Sequence, residues 1–372
     1  MSALSQLADF GQSFWLDNLS REMLRNGDLQ RRVEGGLLGI TSNPAIFDKA
    51  MRGGSWYEAE VEHLGASGLG PSEIYEQLTV ADVGEACDLL LGVWERTNGV
   101  DGYVSLEVSP RLANDTEATL AEARRLYSAL GRKNALIKIP GTPAGGAAIR
   151  RALFEGINVN VTLLFSCEAY ETVAEAHTQA LEDRLDAGLP VDDTASVASF
   201  FLSRIDSLTD KKLAALAAGL DGSEKAGVES LAGEAAVANA KIAYQGFERR
   251  LASDRWKRLE EAGARPQRML WASTSTKNPA YSDVKYVEPL IGPLTVNTLP
   301  ESTITAFDDH GTAALTVRDG RETARAVMDR LAAVGIDFDQ VCRELLDEGV
   351  TKFIEPYCST IAWLEQRLSV PA

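Results

Sequence analysis

Eight short stretches of the chain are rich in apolar residues, several of them with polar residues alternating, and most of the segments between them carry apolar residues at helical spacing. The stretches are Gln12 to Asn18, Leu37 to Pro44, Gly102 to Val108, Ala135 to Pro140, Ile157 to Leu163, Ser196 to Leu202, Arg268 to Thr274 and Leu294 to Pro300. Each predicts a strand. Between them, Pro71 to Arg96 predicts a long amphipathic helix, with Ile74, Leu78, Val83, Leu89, Leu90 and Val93 on or near one side. Asn114 with Glu117 reads as a capping box for a helix ending at Leu130, and Ser166 begins one that ends near Gly188. Residues 1–9 predict a short leading helix, and residues 51–70 an excursion with one short helix. Residues 206–264 form a helical elaboration with a break near Gly219 to Gly222, and a C-terminal helical segment spans about 337–370.

The parity of the polar residues says how these strands are arranged. A parallel sheet covered by helices on both faces has strands that are almost continuously apolar. Here Asp17, Asn43, Glu107, Lys138, Asn160 with Thr162, Ser199 and Asn297 each fall on a single parity, mostly late in their strands. Such residues most simply line the upper interior of a barrel. The expected fold is therefore α/β, a (β/α)8 TIM barrel with additional helices, as a single domain over residues 1–372. A doubly wound open sheet is the alternative. No G-x-G-x-x-G or G-x-x-x-x-G-K-[ST] follows any strand, so a nucleotide cofactor has no support.

One of these polar residues is out of place. Lys138 lies within Ala135-Leu136-Ile137-Lys138-Ile139-Pro140, an otherwise apolar run that reads as a buried strand. Burial disfavours the charged form of an amine, and only the neutral amine is a nucleophile. The alternative is an edge strand on which the lysine keeps its ammonium in water. A net charge of −17 argues against nucleic-acid binding, and any anionic substrate would need local cations. No apolar run is long enough to span a membrane, and no signal peptide opens the chain. Four scattered cysteines read as reduced thiols of a cytoplasmic protein, and three histidines without ligand spacing make a metal site unexpected.

A lysine, the carboxylates Glu107 and Asp17 and several neutral donors inside one barrel would suit Schiff-base carbonyl chemistry. The carboxylates could equally be structural partners of a buried lysine.

The motifs Gly39-Ile40-Thr41-Ser42-Asn43-Pro44, Leu136-Ile137-Lys138-Ile139-Pro140, Gly156-Ile157-Asn158-Val159-Asn160-Val161-Thr162-Leu163-Leu164-Phe165-Ser166 and Ser199-Phe200-Phe201-Leu202-Ser203-Arg204-Ile205 resemble those of the transaldolases. The resemblance implies a cofactor-free aldolase barrel that acts on sugar phosphates in the non-oxidative pentose phosphate pathway. Such an enzyme transfers a dihydroxyacetone unit from sedoheptulose 7-phosphate or fructose 6-phosphate to an aldose phosphate.

By the same resemblance Lys138 is the Schiff-base lysine, and Glu107 and Thr162 position a catalytic water. Asp17 is the acid/base at C–C cleavage. Asn43, Asn160 and Ser199 hold the dihydroxyacetone moiety beside Phe201, and Arg204 binds phosphate. Where many members carry a second phosphate-binding arginine after a serine, this chain has Ser275-Thr276-Lys277. Lys277 either substitutes as a point charge or is a solvated loop charge. A fructose 6-phosphate aldolase releasing free dihydroxyacetone is an alternative, although those enzymes tend to carry glutamine and tyrosine at the Glu107 and Phe201 positions. A non-catalytic sugar-phosphate-binding barrel is another. The chain is expected to be a monomer or a homodimer.

Overall fold

The computed structural model describes residues 3–369, so residues 1–2 of the expected leading helix and residue 370 of the expected C-terminal segment lie outside the described residues. Eight strands close into a barrel in sequence order: β1 (Gln12–Leu16), β2 (Gly39–Ile40), β3 (Tyr103–Glu107), β4 (Ala135–Pro140), β5 (Val159–Leu164), β6 (Ser196–Phe201), β7 (Arg268–Ala272) and β8 (Thr295–Leu299). Their pairing is parallel, and helices separate the strands. This is the (β/α)8 architecture that the patterning predicts. Closure leaves no free sheet edge, which removes both the open-sheet alternative and the edge-strand reading of Lys138.

Two local expectations change. β2 is much shorter than the stretch Leu37 to Pro44, because Asn43 already caps the helix Pro44–Arg52 and Pro44 opens its first turn. Thr41 still donates its N–H to the Leu16 carbonyl at 2.9 Å, so the pairing outlasts the regular strand. The second change is the cap of Thr116–Leu130, which is Asp115 rather than Asn114. Its carboxylate accepts the Ala118 N–H at 3.0 Å, a reach available three residues before that donor. Gly39 has a separate reason to be glycine: a Cβ there would lie 2.5 Å from the Trp15 ring.

The contacts group the chain into two compact units. One is Trp15–Asn160 with the chain from Gly349 onward. It holds β2, β3 and β4 and the 26-residue helix Pro71–Arg96, whose Ile74, Leu78, Val83, Leu90 and Val93 are buried as the periodicity predicts, while Leu89 is only partly covered. The other is the chain up to Phe14 with Val161–Glu348. It holds β6, β7 and β8, where Phe200 and Trp271 meet edge to face at 6.3 Å. At the N-terminal ends of its strands Arg268 donates to the Thr295 carbonyl at 2.9 Å, and Gln12 donates to the Thr295 hydroxyl at 2.9 Å. Residues 206–264 lie within the helices Ser203–Ala217, Gly222–Glu229, Ala235–Leu251 and Asp254–Glu261 and their connections, with the break at 218–221. The last helix is Phe338–Leu368, with Pro356 inside it.

Candidate active site

In the first unit, Glu107 is the last residue of β3 and pairs in register with Lys138 on β4. Neighbours in a parallel register point to the same face, and the lysine Nζ lies 3.3 Å from Glu107 Oε2. Both side chains are buried, at 5% and 3% exposure. The Lys138 amine also donates to the Ser42 carbonyl at 3.1 Å, and the Phe353 ring stands 5.4 Å from it. Charged side chains are almost never buried this deeply unless paired, and here the amine and the carboxylate are each other's partner.

Two further bonds set the interior. The Asn160 amide donates to the Ser105 hydroxyl at 2.9 Å, from β5 to β3. Because β4 separates those strands, both side chains must point into the barrel, in the manner of a layer drawn from alternate strands. Ser42 donates to the Ser105 carbonyl at 2.7 Å, which fixes the carbonyl that receives the lysine. Asp17 is the first residue past β1 and is half-buried. Asn43 accepts the Ile46 N–H at 3.1 Å through its side-chain oxygen, which locks its rotamer and leaves the amide NH2 as a donor group.

In the second unit, Thr162 is fully buried and its hydroxyl has no hydrogen-bond partner among the described residues. Most buried polar groups are hydrogen-bonded, and this hydroxyl is among those that the described residues leave unmatched. The next residue, Leu163, has φ +60°, a left-handed conformation that costs a leucine about 1–2 kcal/mol. Strain of this kind concentrates at functional sites.

Ser199 and Phe201 are buried on β6, and Phe201 packs against Phe165 with ring centroids 5.2 Å apart. Arg204 is the second residue of Ser203–Ala217, with its guanidinium 5.3 Å from the Phe201 ring. A cation at a helix N-terminus opposes the dipole, and an anion there would satisfy both. The Ser203 and Ser273 hydroxyls meet at 2.9 Å, tying the start of this helix to the end of β7. Two residues on, Ser275 accepts from Lys277 Nζ at 2.6 Å. Lys277 itself is exposed, unlike Arg204.

The loop carrying Ser275 and Lys277 is anchored from behind. Asp206 accepts from the Tyr286 hydroxyl at 2.9 Å and the Ala236 N–H at 2.7 Å. Asp210, one turn later, accepts from the Tyr281 hydroxyl at 2.7 Å and the Gly233 N–H at 2.8 Å. Burial pushes the Asp206 carboxyl up to about 6 against the lowering effect of its two donors. In the sequence, Asp206 and Asp210 look like the charged side of a solvated helix. Ser105 shares the parity of Glu107 and could have been named. Phe353 and the Ser42 carbonyl carry no local sequence signal.

The family model described as "Transaldolase/Fructose-6-phosphate aldolase" matches residues 14–362. The chain is 50% identical to a protein named "Transaldolase" from Trichodesmium erythraeum (strain IMS101), over 98% of this chain and 97% of that one. It is 49% identical to "Transaldolase 2" from a Nostoc species, over 99% and 98%, and 45% identical to "Transaldolase" from Thermobifida fusca (strain YX), over 99% of each. By its matched length and its likeness to these relatives, the chain belongs to the transaldolase/fructose-6-phosphate aldolase family.

Proposed function

We propose that the protein is a transaldolase of the pentose phosphate pathway, working in the cytoplasm as a monomer or homodimer. It moves a dihydroxyacetone unit from sedoheptulose 7-phosphate or fructose 6-phosphate to glyceraldehyde 3-phosphate or erythrose 4-phosphate. The observation that carries this reading is the buried Lys138 amine 3.3 Å from Glu107.

In the proposed sequence, neutral Lys138 adds to the ketose C2 carbonyl, and loss of water from the carbinolamine gives an iminium. Asp17 takes the proton of the C4 hydroxyl. The C3–C4 bond then breaks, its electron pair flows into the iminium, and an aldose phosphate leaves. The resulting enamine attacks the acceptor aldehyde, and water finally releases the new ketose from the lysine. Glu107 and Thr162 hold the water that relays protons at C2, a role suited to a carboxylate beside the amine and a hydroxyl that the protein leaves unpartnered. Asn43, Asn160 and Ser199 orient the three-carbon unit against Phe201. Arg204 grips the phosphate as a planar fork, with Ser275 and the exposed Lys277 as weaker contacts.

Borohydride added with fructose 6-phosphate should reduce the iminium and leave a stable adduct on Lys138, located by peptide mass spectrometry. Folded protein with unchanged mass would overturn the covalent mechanism and favour a sugar-phosphate-binding barrel. Glu107 and Phe201, in place of glutamine and tyrosine, favour transfer over simple release of dihydroxyacetone.

A further inference from the structure

The C-terminal helix supplies one group to this site that the proposed mechanism leaves without a task. Phe353 is 4% exposed and its ring stands 5.4 Å from the Lys138 amine, which is itself buried. One turn further along, Tyr357 packs edge to face on Tyr75 with centroids 5.1 Å apart. The Thr360 hydroxyl then donates to Asp48 at 3.0 Å, which seats this half of the helix on Pro44–Arg52. The Phe353 ring is therefore held over the amine by contacts on the following turns.

Tyr357 also lines a cavity of about 500 Å³ together with Pro44, Tyr75, Glu122, Arg125 and Glu107. Its size and polar walls suit water. Glu107 is among its lining residues, but the Glu107 carboxylate is buried away from it, and neither Lys138 nor Phe353 lines it. The amine thus lies outside this cavity, beside an aromatic ring.

A transferase needs this separation. After C–C cleavage the three-carbon unit waits on Lys138 as an enamine. If it is protonated on carbon it becomes an iminium, and water can then add through oxygen to the iminium carbon. Loss of a proton and cleavage of the C–N bond, whose electron pair stays on Nζ, release free dihydroxyacetone and the lysine. We infer that Phe353 is a specificity residue that keeps water from the lysine-bound intermediate, so that the three-carbon unit is passed to an acceptor rather than hydrolysed. The inference rests on the Schiff-base reading above. Exclusion of water is a recognised way for a site to suppress hydrolysis of a reactive intermediate.

The test compares wild type with Phe353→Leu and Phe353→Ala, using fructose 6-phosphate as donor. Transfer to erythrose 4-phosphate is measured against release of free dihydroxyacetone without acceptor, each by a coupled dehydrogenase assay. In Phe353→Ala the ratio of release to transfer should rise by about tenfold, and in Phe353→Leu by about two- to threefold. A structural role alone would lower both rates together. An unchanged ratio in either folded variant overturns the inference, so Phe353→Leu carries the test if the alanine variant does not fold. Failure of the functional reading looks different: wild-type protein would neither transfer the unit nor yield a borohydride adduct on Lys138.

Discussion

Glu107→Gln separates the two jobs that the carboxylate could have. The Oε2 atom lies 3.3 Å from the Lys138 amine, so an ammonium there would gain about 5 kcal/mol of Coulomb energy at an effective dielectric of about 20. Desolvation of both groups offsets most of that, and loss of one partner from a buried pair costs about 3–5 kcal/mol. Glutamine keeps the shape and an acceptor oxygen, which places the stability loss near the lower end. For 372 residues, about 3 kcal/mol corresponds to about 4 °C in Tm. The catalytic effect is of a different size. A general acid/base contributes about 10²–10⁴ in rate, equivalent to about 3–5 kcal/mol of barrier.

Because the proton relay acts on the bound intermediate, kcat and kcat/KM should fall together while KM for fructose 6-phosphate stays nearly constant. A coupled assay of glyceraldehyde 3-phosphate production, with thermal unfolding followed by circular dichroism, measures both quantities. Turnover within twofold of wild type in the folded variant would refute the proton-transfer role and leave Glu107 as a counter-ion only. Undiminished borohydride trapping alongside slow turnover would instead place the defect after formation of the Schiff base.

The remaining predictions concern the phosphate end and its support. Arg204→Ala should raise KM for phosphorylated donors by about 10- to 100-fold, the worth of a charge-assisted hydrogen bond, while Lys277→Ala, which removes an exposed charge, should raise it less than about tenfold. Steady-state kinetics on each variant decides, and equal effects would remove the ranking. Asp206 binds more protons folded than unfolded between its ordinary value of 3.8 and about 6, so its contribution to stability falls by about 3 kcal/mol as pH rises through that window and is flat above it. Asp206→Asn should therefore match wild type near pH 4 and exceed it by up to that amount at pH 7.5 in urea unfolding; a difference that does not vary with pH would show that burial of the charge carries no such cost.

What could be read in the sequence, and what could not, follows from the range over which each interaction acts. Side-chain alternation along a strand is local and strict, so a single polar parity in several stretches is enough to put Glu107 beside Lys138 and Asn160 beside Ser105. The choice of Asp115 over Asn114 as the cap is also local: both are good caps, and only the turn geometry chooses between them. The shortness of β2 belongs to the same scale, since Asn43-Pro44 is at once the end of a strand and the start of a helix. The pair of carboxylates behind the loop of Ser275 and Lys277 lies at the edge of what periodicity can say. An i, i+4 spacing puts Asp206 and Asp210 on one side of a helix, and nothing nearby announces that Tyr281 and Tyr286 will cover that side.

The contacts made by Lys138 lie beyond that edge. Its amine meets a main-chain carbonyl at Ser42, which any residue type could have supplied, and a ring at Phe353, which a long stretch of intervening chain separates from β4. In the sequence Phe353 is one of several apolar residues in a helical pattern, and its nearest reason to be apolar is simple packing. Only after the chain closes does the same apolar character acquire a chemical consequence, because the atom beside it is the one expected to carry a hydrolysable intermediate. Packing and water exclusion demand the same residue type at this position. The sequence pattern therefore cannot separate them, whereas the ratio of release to transfer can.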